Sequence, residues 1–498
     1  MEKRPRRWPG PILLLGLGVV LFAVGAKLAL IQRYGTDQPY ADQWSAEGMY
    51  FLRGPMYYHI DFTQLTAQHG DHRPGLTRLW VRGLILANAG QWDCFLELVA
   101  NLLIYGAFLA VAWRWLAGIF EGAWVGLVAL LLIAMFSLPA AYENFLWGFQ
   151  SCFLFMLLMG LLHLAGTLGS GGPGLRWGLA QLAGLLGLFS IASGAMSAAA
   201  LIGLAALELV AGRRKVWAWW TLGANVIIFG LGLWLLPTAL PAGGHPLASV
   251  GAALIRTGYL LSWPLVGLGW CALLPFPWVM LLVLWWRDSD RARAARDGRV
   301  VAIGLWVFCM AFAIAYGREI TPETIGARYY DVLLPGLLAN GLAVVLLVRR
   351  WAGWRRWSGV VVGLGWLACV GWGLWIYNQP ARLKPMFDQQ YQLAVEQRQV
   401  TRDFFASNDP TKLQAFADTT HRFVTFSMVL ELLRDPKVRD VLPPSLTTDG
   451  RMGPLSRFAR HVADLWPLFL GAGVLCLMGG AVQLKWRPEK KEPAWYAT

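Results

Sequence analysis

Apolar runs of about twenty residues alternate with short polar segments along the chain. An α-helix rises 1.5 Å per residue, so roughly 18 or more apolar residues in helical form cross the hydrocarbon core of a bilayer. The pattern predicts twelve spans, at 12–31, 95–113, 122–139, 150–168, 177–192, 195–211, 216–236, 258–286, 300–316, 330–348, 357–377 and 465–484. It does not show the short alternating segments of a membrane β-barrel. The 258–286 stretch is too long for one straight span and carries Pro264, Pro275 and Pro277. Proline removes a helix hydrogen bond, so a kink or a re-entrant piece is expected there. The expected fold is an all-α polytopic membrane bundle.

Two polar stretches are long enough to carry structure of their own. In the first loop, 32–94, segments 43–53 and 75–88 are amphipathic and predict short helices lying on the membrane surface. The segment 378–464 shows helical periodicity over Phe387–Phe405 and Lys412–Leu433. Asp409-Pro410 and Asp435-Pro436 act as start signals there, and Leu442-Pro443-Pro444 as a stop. The expected organisation is a transmembrane module over 1–377, a helical subdomain over 378–464, and a last span with a basic tail over 465–498.

Composition supports the membrane assignment. Of the 498 residues 57% are hydrophobic and 14% charged, against about 25% charged in a soluble domain. The net charge of +14 could suggest a nucleic-acid partner, but the basic residues are not spread over a face. Nearly half of the 43 Lys and Arg fall in Met1–Arg7, Arg213–Lys215, Arg287–Arg299, Arg349–Arg356 and Lys485–Lys491. A single topology puts all five clusters on the cytoplasmic side, with both termini, as the positive-inside rule requires. Nucleic acid is therefore excluded as a partner, and the lipid bilayer takes its place. The run Ile12–Ile31 exceeds a signal-peptide core and no A-x-A site follows it, so it is expected to be a retained anchor. The six cysteines lie in or beside apolar stretches without a C-x-x-C pair and read as packing residues. Most of the 28 Trp fit an interfacial belt.

Candidate chemistry concentrates in the outer loops. The stretch Tyr34–Trp44 sets Asp37 and Asp42 among Tyr34, Tyr40 and Trp44. A partly buried carboxylate there can take a proton from an acceptor hydroxyl or bind a cation, and aromatic rings stack on the C–H faces of sugars. The bland alternative is a solvated loop aspartate. His69, Asp71, His72 and Arg73 offer phosphate contacts through the planar arginine fork, or a His-x-x-His metal pair that lacks a third ligand. Between spans three and four stand Glu143, Asn144, Trp147 and Gln150, polar groups near membrane depth that need a partner or a task. Between spans nine and ten, Arg318-Glu319 and Arg328-Tyr329-Tyr330-Asp331 suit a lipid-linked phosphate, or simple interfacial anchoring. Arg256 and His245 are weaker candidates, and Glu97 with Asn101, at i and i+4, read as helix packing.

The stretches Pro39-Tyr40-Ala41-Asp42-Gln43-Trp44, His69-x-x-His72-Arg73, Glu143-Asn144-Phe145-Leu146-Trp147-Gly148-Phe149-Gln150 and Arg328-Tyr329 carry a resemblance. In order and placement, through span ten, the chain resembles bacterial members of the GT-C superfamily of integral-membrane glycosyltransferases. The resemblance implies a polyprenyl-phosphate sugar donor, a glycan or lipid-linked acceptor, and a periplasmic active site in a bacterial inner membrane. It implies Asp42 as catalytic base, with Asp37 as the other candidate, and Glu143 as a second acid. Arg328, with Tyr329 and Arg73, would hold the donor phosphate. His69, His72, Trp44, Tyr40, Asn144 and Gln150 would contact substrate. A tandem Asp-Asp or Asp-x-Asp after span one is missing, so a divalent cation (Mg or Mn) is left open and the metal ligands stay unknown. A W-W-D-Y-G signature is missing too, which argues against N-glycosylation of protein. The rival readings are a transporter or lipid flippase, an O-antigen polymerase or ligase using the arginines of 378–464, and a scaffold.

Overall fold

The structure is a computed structural model that describes residues 10–52, 59–236, 249–265, 267, 269–321, 323–351, 353–420, 422–423, 425–447 and 450–485. The Met1–Arg7 cluster, His245 and the tail beyond Lys485 lie outside the described residues. The chain is an all-α polytopic membrane protein: ten helices among the described residues are long and apolar enough to cross a bilayer.

The other two expected spans are helices too, but short ones. They are Ala123–Phe136 and Leu175–Gly187, of 14 and 13 residues. At 1.5 Å per residue each reaches about 20 Å, less than the roughly 30 Å of a hydrocarbon core. The first gives way to short turns that begin at Pro139, and the second to a turn whose Phe189 carbonyl is bonded by the Leu76 N–H. The 258–286 stretch is broken, as its prolines predict. Val250–Leu261 ends before Pro264, and an 18-residue span, Trp270–Arg287, follows it; within that span Phe276–Arg287 carries Pro277 in its first turn, where proline costs no hydrogen bond.

Small residues set the tightest helix pair. The Gly10–Tyr34 helix packs along Trp466–Lys485. A Cβ on Gly473 would come within 2.7 Å of the Phe22 nitrogen, and one on Gly18 within 2.9 Å of the Leu477 nitrogen. Only glycine lets these backbones approach so closely. Tyr330–Arg350 is the most enclosed span, its apolar window 89% buried, and the bundle wraps around it.

Contacts sort the connecting segments to two ends. At one end, His72 meets Ala192, Arg73 meets Leu235, Arg256 meets Arg318, Asn144 meets Arg328, and Ala140 meets Asn378. At the other, Arg350 bridges Asp288 and Asp297, Arg213 holds the Trp285 and Asp288 carbonyls, and Arg299 holds that of Trp115.

The first end is capped by a second hydrophobic core. Trp44, Phe51, Leu52, Val81, Ile85 and Trp92 of the first loop are buried with Phe404, Leu413, Phe416, Val429, Leu432 and Leu442. Helices Pro380–Ser407, Thr411–Thr420 and Phe426–Arg434 supply all of the latter group but Leu442, which follows the short helix Pro436–Arg439. This corrects the expectation for 43–53. The segment is helical over Gln43–Phe51, but its apolar face is covered by protein rather than by headgroups. The second amphipathic segment, helix Gly75–Ala87, buries Val81 and Ile85 and leaves Leu79 and Leu86 exposed.

Candidate functional site

The polar centre begins with a tight hairpin. His69 and His72 exchange backbone hydrogen bonds of 2.8 and 2.9 Å across Gly70-Asp71. Gly70 has φ +57°, the positive value such a turn needs at its first central position. The His72 ring is fixed at both nitrogens. Its Nδ1 accepts from the Ala192 N–H at 3.2 Å, so the proton belongs on Nε2, 3.2 Å from Asp71 Oδ1. Burial lowers the His72 pKa, which keeps this neutral form. Asp71 in turn accepts from Arg318 Nη2 at 2.8 and 2.9 Å.

His69 is turned to the other side. Its Nε2 stands 3.3 Å from Asp42 Oδ1, and its ring packs edge-on against Phe149 with centroids 5.5 Å apart. Asp42 is held by a clamped turn: Ala41 has φ +45° and donates its N–H to the Arg422 carbonyl at 2.9 Å. Trp147 Nε1 donates to the Tyr40 carbonyl at 3.1 Å, and the Tyr40 N–H donates to Gln43 Oε1. The Asp42 side chain keeps 33% of its surface, so it is positioned by protein yet open to a solute.

Tyr40 is the hub. Its ring lies edge-on to Trp147 at 4.9 Å and under the Arg422 guanidinium at 4.6 Å. Burial raises its pKa, and the charges of Arg422, Glu143, Arg328 and Asp42 all act on it. Glu143 faces Arg328 at 3.7 Å, and Glu143 Oε2 is buried without a hydrogen-bond partner. Beneath this pair, Asn144 Nδ2 donates to the Arg328 carbonyl and to Asp331 Oδ2, both at 3.0 Å. The Arg328 guanidinium lies 5.4 Å from the Tyr329 ring, which meets Phe153 at 6.0 Å. Side chains from 40–42, 69–72, 143–147 and 318–329 therefore meet at one place.

Other candidates lie elsewhere. Trp44 is fully buried in the second core, edge-on to Trp92 and Phe423, and cannot touch a substrate. Asp37 is turned away from Asp42. It accepts from the Ser445 N–H and Oγ at 3.1 and 2.8 Å, and lies 3.7 Å from Arg460. Arg73 donates to the Leu235 and Thr66 carbonyls and ties the loop down; Arg318, not Arg73, takes the acid beside the histidines. Gln150 is buried at the head of the Ser151–Leu168 helix. Among the described residues no three of His, Cys, Asp and Glu are grouped to hold a metal ion, so the open Mg or Mn question finds no ligand set here.

A buried acid pair escaped the sequence reading. Gln43 Nε2 donates to Glu97 Oε2 at 2.8 Å and reaches Glu47 Oε2 at 3.4 Å, while Trp92 Nε1 donates to Glu97 Oε1 at 2.8 Å. Burial, then the neighbouring Glu97, raises the Glu47 pKa well above the usual carboxylate range. Gly148 closes this nest, since a Cβ there would lie 2.2 Å from Glu97 Oε2. The sequence set Glu97 with Asn101 as helix packing; its bonds to Gln43 and Trp92 and its closeness to Glu47 were not visible there. Asn101, its neighbour one turn on, accepts from Trp80 and donates to the Gly148 carbonyl, as helix packing predicts. Compared with family models, curated proteins and solved structures, the chain matches none.

Proposed function

We propose that this protein is a membrane glycosyltransferase. It moves a sugar from a polyprenyl-phosphate donor to a glycan or lipid-linked acceptor. The reaction takes place at the end of the bundle that carries the first loop. The distribution of basic residues supports a periplasmic position for that end, in a bacterial inner membrane. The observation that supports this reading best is the meeting of Asp42, His69, Tyr40, Glu143 and Arg328, drawn from four distant stretches.

His69 donates from Nε2 to Asp42 Oδ1 and steadies the carboxylate. Asp42 Oδ2 is then left to accept the proton of the acceptor hydroxyl. The hydroxyl oxygen bonds to the anomeric carbon from one face as the bond from that carbon to the donor phosphate breaks on the other. The sugar inverts and the electron pair leaves on the phosphate. Arg328, beside Glu143 and above Tyr329, meets that growing charge. The rings of Tyr40 and Trp147 offer a wall for the sugar.

Asp42→Asn retains the shape and removes the base. Transfer from a polyprenyl-phosphate sugar by the purified, folded variant is expected to fall at least about 100-fold. Undiminished transfer excludes the base assignment. Substrate accumulation in proteoliposomes without any covalent product would favour a transporter instead.

A further inference from the structure

A cavity lies beside the Tyr34–Trp44 stretch, on the side to which Asp37 turns. Its volume is about 320 Å³, at the small end of the roughly 300–1,000 Å³ typical of small-molecule sites. The Pro380–Ser407 helix contributes Tyr391 and Arg398, the first loop Asp37 and Gln38, and the late segment Ser445 and Arg460. None of the groups gathered around Tyr40 lines it.

Two of its polar groups, Asp37 and Arg398, are open to a ligand. Gln38 is only 4% exposed; its Nε2 donates to Asp37 Oδ1 and to Ser445 Oγ, at 3.0 and 2.6 Å. Its Oε1 is buried as well, with no surface open to the cavity, so Gln38 holds Asp37 and Ser445 in place and does not touch an occupant. Arg398 makes no hydrogen bond or ion pair among the described residues and presents its donors at the wall. The charges of Asp37 and Arg460 lie 3.7 Å apart and oppose each other, which does not favour a strongly charged occupant. Tyr391 adds an aromatic surface.

We infer that this cavity is a saccharide-binding site. It takes a neutral, hydroxyl-rich ring, with ring hydroxyls donating to Asp37 and accepting from Arg398. The binding stands by itself; its role, anchoring an acceptor glycan away from the bond being made, rests on the sugar-transfer reading. The test uses the full chain in detergent with a neutral hexose, an N-acetylhexosamine and a hexuronic acid as probes, followed by saturation-transfer NMR. The expected result is binding of a neutral probe that weakens about tenfold in Arg398→Ala, the loss of one charge-assisted hydrogen bond. Arg398 supports no other side chain, so its variant is expected to fold. Absence of binding by the parent protein, preference for the hexuronic acid, or unchanged affinity in Arg398→Ala overturns the inference. Asp42→Asn is expected to keep the binding while it abolishes transfer, so the two readings can fail separately.

Discussion

His72 is caught between a backbone N–H and an acid that is itself held by Arg318. Its pKa in the fold lies below the ordinary 6.5, chiefly through burial. Unfolding therefore takes up a proton in that range, and stability is lost as pH falls below about 6.5 toward the folded value. His72→Gln keeps both hydrogen-bonding positions without titrating. Its thermal midpoint is expected to fall less than the parent's between pH 7 and pH 5; parallel curves would show that His72 does not carry the effect. Glu47 works in the opposite direction. Its raised value means that the fold holds a proton which the unfolded chain releases above about 4.5, so stability declines as pH rises from there toward the folded value. Glu47→Gln is expected to flatten that decline and to raise the melting temperature at pH 8. A lower melting temperature at pH 8 would mean that the carboxylate is ionised and needed.

Periodicity made the helices legible. Ten of twelve expected spans are long, and both short ones stand where an apolar run was read. The start signals held as well: Asp409 accepts from the Thr411 N–H, and Asp435 from that of Lys437. Lys412–Leu433, read as one periodic stretch, is two helices, Thr411–Thr420 and Phe426–Arg434, and Phe423, which lies between them in sequence, packs on Trp44. A helical period reports which face is apolar and not what covers it, so Gln43–Phe51 read as a membrane-surface helix. The glycines of the first and last helices, far apart in the chain, likewise gave no sign of facing each other. Gly473→Val puts side-chain atoms where the Phe22 backbone lies, 2.7 Å from a Cβ. The cost is expected to be about 1–3 kcal/mol, as for overpacking generally, and to show in reversible unfolding in mixed micelles. Gly471→Val, on the same helix with open space around it, is the control and is expected to be neutral.

At the scale of the molecule, the site is a product of long-range closure. Asp42 and His69 were legible as two separate candidates. Their pairing at 3.3 Å was not, nor was the 247-residue reach from Asp71 to Arg318. Hydropathy places groups at one end of a bundle and says nothing of which ones touch. The part that holds them in register is the shared core outside the spans, where first-loop residues interlock with 404–446. Leu432, fully buried at its centre, tests that dependence. Leu432→Ala is expected to cost about 2–5 kcal/mol in this layer alone. Amide exchange should then speed up together in 43–52 and in 426–446, while Tyr330–Arg350 stays protected. Because the Ala41 N–H is held by the Arg422 carbonyl, the same variant should loosen the Asp42 turn and lower sugar transfer without touching a reacting group. Faster exchange confined to 426–446 would mean that the first loop stands without its late partner, and the site would then owe its geometry to the spans.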